Sequence, residues 1–559
     1  MRRQGLFFLV PLVLGIQACR SCRCFPNEPC WPSLQQWSEF NTTLGGKLIG
    51  TVPIGSVCHT QGGCAAYDAA SCADLISDWA FPVTHYETSS SPMASWFANF
   101  SCDPFLAPNA PCNIGSVQWF AVNVSTAEDV QKTIRFTRDH NIRLVIRNTG
   151  HDYLGKSTAP GAVALWTHYL KDTHYLEYTS AHYNGPALRL GAGIQGFDAM
   201  AAAHAQNKVV VTGNCASVGI AGGYTQGGGH GQLASRFGLA ADQALEWEVV
   251  TADGQLLTAS PTENADLYWA LSGGGGGTYA VVLSVTVKAH PEMTTTSATL
   301  AFGVTGVTTQ FWEVVQTFVV DILPLLDAGA VAIWAVVGST FSLTPISLPG
   351  GRHDQLQKGL ASTLALLERY NISYTYDIQE FPTFWASYEA MNPHSNITEA
   401  QIGGRLMPRS TVESDPTTLI ATLRSIAEEG VVVSGVSLNV SRSAVPWNAV
   451  NPAWRDAAIS FVLGTTYNYT SRMVDLQCQS LMTDSLIPRL AALSPGGGAY
   501  LNEADWKQPD WQWVFYGVHY PMLELVKQKY DPDHVFYART AVGSEWWVQE
   551  EDGRLCPAL

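Results

Sequence analysis

The chain has 559 residues, room for two or three cores. An apolar content of 46%, with 18 Trp, 21 Tyr and 21 Phe, excludes a largely disordered protein. With 47 acidic against 31 basic residues the formal charge is -16, a surface that repels nucleic acid and anionic lipid, so neither is an expected partner.

Arg2 and Arg3 precede the apolar stretch GLFFLVPLVLGIQA, which is short and interrupted by proline. It reads as a signal peptide over residues 1–18, with Ala18 before the cut. No later run reaches about 18 uncharged apolar residues, so no membrane anchor is expected. Residues 19–112 form a Cys-rich segment: nine of the 12 cysteines precede residue 113. Behind a signal peptide this density points to disulfides rather than to a metal. Sequons at Asn41, Asn99, Asn123, Asn371, Asn396, Asn439 and Asn468 agree with a secreted glycoprotein.

From residue 113 the texture becomes regular. VQWFAVNV is strand-like, and STAEDVQKTIRFTRDHN predicts a helix capped by Ser125 and Glu128, with Val130, Ile134 and Phe136 at apolar positions. RLVIRN is the next strand, completing an α/β unit. ALRLGAGI, an Ala-rich helix near 197–205 and KVVVTG repeat the pattern. GIAGGYTQGGGHG and SGGGGG follow, both beside apolar strands, where clustered glycine lets the backbone approach a large ligand. Past residue 292, TTQFWEVVQTFVVDIL and HDQLQKGLASTLALLERY predict amphipathic helices alternating with strands AVAIWAVVG and SYTYDI. Residues 293–498 therefore read as a second, α+β domain. The tail, 499–559, carries a helix in YPMLELVKQKYDP.

GHDYLGKS, 150–157, satisfies the P-loop pattern G-x-x-x-x-G-K-[ST]. A P-loop needs a helix starting at its Lys-Ser, and Pro160 and Gly161 forbid one here. Nucleotide hydrolysis is therefore not expected, although such a loop after a strand can cradle a cofactor phosphate through its N–H groups.

Two stretches together, RNTGHDYLGKS and GNCASVGIAGGYTQGGGHGQ, carry a resemblance. The chain resembles the berberine-bridge-enzyme-like flavoprotein oxidases of the vanillyl-alcohol oxidase and p-cresol methylhydroxylase superfamily, most of all the secreted fungal isoamyl alcohol oxidase type. The resemblance implies an α+β protein with a two-part FAD-binding domain, 113–292 with the return of 499–559. A substrate domain with a mainly antiparallel sheet, 293–498, stands between them. It implies FAD bound twice, through His151 as an 8α-histidyl link and Cys215 as a 6-S-cysteinyl link. Arg147, Asn148, Thr149, Gly150, Asp152 and Ser157 fall in the loop that holds the cofactor. Val218, Gly219 and Gly222 follow the cysteine, Gly274, Gly275, Gly276, Gly277 and Thr278 fall in the stretch that wraps the FAD, and Tyr500 and Asn502 form a Tyr-x-Asn segment near the flavin ring. With Cys19 removed and Cys215 on the flavin, ten cysteines are left, enough for five disulfides.

These residue types suit the chemistry: a neutral imidazole and a thiolate are both nucleophiles toward an oxidised flavin. The implied reaction moves hydride from a small-molecule alcohol, sugar or pathway intermediate to flavin, and electrons then pass to O2, giving H2O2. Val218, three residues after the cysteine, falls where valine accompanies oxidases and leucine accompanies dehydrogenases. The base stays open between Tyr500 and Glu503, and a solvated surface carboxylate is the bland alternative for Glu503. His230 reads as a structural or pocket-wall residue, and Tyr224 stands where plant relatives often have histidine. An oxidative cyclase or desaturase, a dehydrogenase with another acceptor and a binding glycoprotein without turnover are the rival readings.

Overall fold

The computed structural model describes residues 22–306, 309–392, 396–441 and 447–558. The signal peptide expected at 1–18, with Cys19, lies outside them. Among the described residues no helix is long and apolar enough to cross a membrane.

The first sheet runs Leu48–Gly50, Phe120–Asn123, Val163–Trp166, Leu144–Arg147 in spatial order. The last three are parallel, and the helix Ala127–Asp139 makes the crossover that parallel pairing requires. Its cap sits one residue beyond the expected Ser125/Glu128 pair. Thr126 is the N-cap, and the Asp129 carboxylate accepts from Thr126 N at 3.0 Å. Asp129 prevails because Lys47 reaches in at 2.8 Å and neutralises it, which a solvent-facing glutamate does not require. The all-buried strand Val163–Trp166 slips between the two predicted ones, and four residues without alternation carry no period-2 signal.

The second sheet is antiparallel, in the order Thr173–Thr179, Asn184–Gly191, Ala280–Lys288, Ala244–Thr251, Leu256–Ala259. The expected second α/β unit does not form. Asn184–Gly191 pairs with Ala280–Lys288, whereas KVVVTG pairs only through Lys208–Val209 with His290–Pro291. Residues 210–213 instead run, buried, toward the cavity described below.

Seven antiparallel strands build the third sheet, Tyr374–Phe381, Thr295–Gly303, Thr340–Pro349, Val331–Val337, Val432–Ser437, Ala457–Thr466 and Ala400–Pro408. The helix Thr309–Asp321 packs on one face because Phe311, Val314, Val315 and Phe318 recur at helical spacing and are fully buried. Phe318 meets Trp334 and Phe341 of the sheet. Truncating it to alanine would cost about 3–5 kcal/mol. The opposite face meets the tail. A Cβ on Gly404 would lie 1.9 Å from the Glu503 carbonyl, so only glycine lets the segment around Glu503 rest on this strand.

The tail also returns to the first part of the chain. Its helix Tyr520–Tyr530 carries the buried Lys527, whose Nζ donates to the carbonyls of Thr278 and Phe536 and to Asp531. Among the described residues there are four disulfides, Cys22–Cys556, Cys24–Cys30, Cys58–Cys72 and Cys102–Cys112. Among the described residues the expected five are not reached: Cys64 and Cys478 are free, like Cys215, and the eight paired cysteines include three pairs that close short loops.

Candidate active site

The loop after Leu144–Arg147 carries no helix, as Pro160 and Gly161 require. It turns at Gly150, whose φ of +84° favours glycine. Beyond the turn Asp152 closes the loop on itself, accepting from Leu154 N at 3.0 Å, Ser157 N at 2.7 Å and Ser157 Oγ at 3.1 Å. The carboxylate is thereby engaged, and Lys156 beside it is left with a buried Nζ that has no hydrogen-bond partner. Burial pulls the Lys156 ammonium down to about 8, against the pull of Asp152.

His151 projects from this loop toward the segment that follows Gly213. Its Nε2 lies 2.8 Å from Ser217 Oγ and 3.9 Å from Cys215 Sγ, with Ser217 Oγ 3.4 Å from the same sulfur. Burial holds the imidazole down to about 4, so it is neutral at neutral pH. Two close approaches fix this arrangement: a Cβ on Gly219 would lie 2.5 Å from Asn148 Nδ2, and one on Gly276 would lie 3.0 Å from Gly223 Cα.

The far wall comes from the tail. Asn502 Nδ2 donates to Gly223 O at 2.7 Å and to Tyr500 Oη at 2.8 Å. Glu503 Oε2 lies 3.0 Å from His230 Nε2, and the Tyr500 ring stands edge-on to that imidazole at 5.2 Å. Burial disfavours the His230 cation, but the Glu503 carboxylate outweighs it and holds the imidazole above its ordinary value. Burial first, and Glu503 second, push the Tyr500 phenol far above the usual tyrosine range. Glu503 is thus partly buried and paired with His230, and the Tyr500 phenol is held toward its neutral form.

Both walls face one cavity of about 350 Å³, within the range of small-molecule sites. His151, Cys215, Val218, Tyr500, Asn502 and Glu503 all line it. So do Asn148, Thr149, Gly150, Asp152 and Ser157 of the loop and Gly219, Gly222, Gly276 and Gly277 of the glycine runs. Four expected residues do not. Arg147 is fully buried and turns its guanidinium to the carbonyls of His85, Thr88 and Ser91, clasping the N-terminal segment. Gly274 packs on the carbonyl of Ala270, Gly275 N donates to Gln226 O, and Thr278 holds Gly276 O and Lys527.

Sequence reasoning set His230 aside and did not single out Tyr153 or Thr398, whose hydroxyls meet at 2.9 Å and tie the loop to the third sheet's side of the cavity. The histidine in GGGHG was a visible signal, but its carboxylate partner lies 273 residues away. The cavity suits a large polar cofactor. Asn148 Oδ1, Asn214 Oδ1, Gln226 Oε1 and Lys156 Nζ line it and are buried without partners, and the glycine backbones leave room beside them.

Residues 120–260 match the family described as FAD binding domain, and residues 499–543 match the family described as berberine and berberine like. The chain is 49% identical over 539 residues to FAD-linked oxidoreductase sor8 of Hypocrea jecorina, covering 96% of this chain and 93% of that one. Its fold superposes with a TM-score of 0.91 on the VAO-type flavoprotein MtVAO615 of Myceliophthora thermophila C1, 39% identical, covering 96% of this chain and 100% of that one. A glucooligosaccharide oxidase of Acremonium strictum, described with a 6-S-cysteinyl, 8α-N1-histidyl FAD, shares the fold at a TM-score of 0.63 and 17% identity. That match covers 77% of this chain and 92% of the oxidase.

Proposed function

The chain belongs to the FAD-linked oxidoreductases of the berberine-bridge-like, vanillyl-alcohol-oxidase type, and from that we propose that it is a secreted oxidase with bicovalently held FAD, acting on a hydroxyl-bearing small molecule. The observation that carries the proposal is the placement of His151 and Cys215 on one wall of a cavity whose other wall holds Glu503 on His230.

When bound, FAD supplies a two-electron acceptor that takes hydride from the carbon bearing the substrate hydroxyl and gives electrons to O2, releasing H2O2. The residues that would hold it are Asn148 to Asp152, the glycines around 219–223 and 276–277, and Asn502. His151 is neutral through burial, and Ser217 occupies its Nε2, so Nδ1 is the nitrogen left for attachment. Cys215 Sγ, beside the same serine, supports the second link, as in the Acremonium oxidase.

Glu503 is the base in this reading. Its carboxylate lines the cavity and accepts the substrate's hydroxyl proton, while His230, hydrogen-bonded to it, fixes its position. Tyr500 stays protonated and, fixed by Asn502, orients the substrate hydroxyl. Val218 lines the wall as the residue that sets oxygen access. FAD-binding parts at 113–292 and 499–559 around a substrate domain at 293–498 complete the reading, and four disulfides with seven sequons favour the secretory route.

The test is a panel of alcohols, oligosaccharides and phenolics assayed for H2O2 release by the purified holoprotein. Release with at least one compound is expected. Anaerobic bleaching of the flavin without H2O2 in air would replace the oxidase reading with a dehydrogenase.

A further inference from the structure

On the other side of the His151 loop lies a second cleft, of about 700 Å³, walled by the Cys-rich segment, the start of the helix Arg472–Leu481 and the C-terminal strap. The loop is a shared partition: Gly155 and Thr158 face the cleft, Lys156 and Ser157 the flavin cavity. Two arginines line the cleft. The Arg472 guanidinium lies 4.0 Å from the centroid of Trp96, and that of Arg539 lies 4.5 Å from Trp506 and 5.9 Å from Phe97. Trp96 and Trp506 are themselves 6.2 Å apart and tilted by 39°, so both cations lie along one aromatic row.

Neither guanidinium makes a hydrogen bond or an ion pair to a described residue. Arg472 Nη1 is buried without a partner, and so is Trp506 Nε1 in the same wall. Asp475 attracts Arg472 and Asp152 attracts Arg539 without bonding to either, whereas Arg455 and Arg409 hold Asp242 and Asp327 at 2.7 and 2.8 Å. Stacking on an indole satisfies a guanidinium's face but none of its N–H groups. Unpaired guanidinium donors of this kind suit a planar anion.

We propose that this cleft binds a small aromatic carboxylate, its carboxylate held by Arg472 and Arg539 and its ring laid against the tryptophans. The guanidinium fork matches a carboxylate, and the walls offered by Trp96, Phe97, Trp119 and Trp506 match a flat apolar body. Glu551 and Asp552 also line the cleft, the latter held by Arg554 at 2.7 Å, and with the overall charge of -16 they disfavour polyanions.

The test is calorimetric titration of the holoprotein with benzoate, against benzamide as its neutral counterpart. Benzoate should bind at least about tenfold more tightly than benzamide, and Arg472→Gln and Arg539→Gln should each weaken it about tenfold or more. Arg539→Lys keeps the charge without the fork and covers the case in which the glutamine variants do not fold; it too should weaken binding. The proposal is overturned if benzoate does not bind or if the arginine variants bind it as the parent does.

Discussion

The two walls of the cavity are built in opposite ways. The His151 and Cys215 wall comes from two stretches of backbone, each specified by its own glycines and its own short-range hydrogen bonds, as when Asp152 ties down Leu154 and Ser157. The Glu503 and His230 wall depends on a tail that crosses two sheets, rests on Gly404 and meets its histidine 273 residues away. In the proposed reading, cofactor attachment is therefore a property of local loops. In the same reading, proton handling is a property of the assembled fold, and the two should fail independently.

Glu503→Gln probes that independence most strongly. It should slow anaerobic flavin reduction by about 100-fold or more, the ordinary contribution of a positioned base, while the flavin stays attached. Rapid-mixing spectra with an active substrate read the first effect, and a denaturing gel viewed for flavin fluorescence reads the second. Loss of both together would mean that the walls are one unit.

The support behind the first wall and the second wall itself differ in their response to pH. His85, in the N-terminal segment that Arg147 clasps behind the cavity, is held to about 4 by burial first. A histidine lowered in this way contributes stability above its unfolded value near 6.5 and loses it as pH falls toward 4, by up to about 3 kcal/mol. His230 is shifted upward by Glu503, so its contribution is complete below about 6.5 and is lost as pH rises through its folded value. Melting temperatures from pH 4 to 9 should therefore fall at both ends. His85→Asn should flatten the acid limb alone, and Glu503→Gln the alkaline limb alone.

Gly404→Ala tests the seat of the tail. The added Cβ meets the Glu503 carbonyl, and relief by backbone movement should cost about 2 kcal/mol in chemical unfolding and lower turnover with it. Flavin attachment should survive. The smallest change is Val218→Leu, an extra methylene in a packed wall, which should slow reoxidation by O2 about tenfold and leave anaerobic reduction near the parent rate. If the oxygen half-reaction is unchanged, Val218 is a packing residue only.

This contrast also explains what could be read before the fold was known. The helix at 127–139, the seven-stranded sheet's helices and the loop with His151 follow from periodicity, caps and glycine, all local signals. Val163–Trp166 was hidden because a central parallel strand is buried on both faces. The family resemblance places Arg147 in the loop that holds the cofactor, yet only tertiary structure shows its guanidinium turned to the N-terminal carbonyls. Glu503 could not be told from a surface carboxylate until Gly404 and His230 brought it inside.

The central claim is that one flavin is bonded to both His151 and Cys215. Proteolytic digestion of the acid-precipitated holoprotein, followed by mass spectrometry, tests it directly. The account predicts a single cross-linked species in which the peptides bearing His151 and Cys215 are joined through one flavin, with His151→Ala leaving the flavin on the Cys215 peptide alone. Recovery of all the flavin as free FAD in the supernatant, with both peptides unmodified, would contradict it.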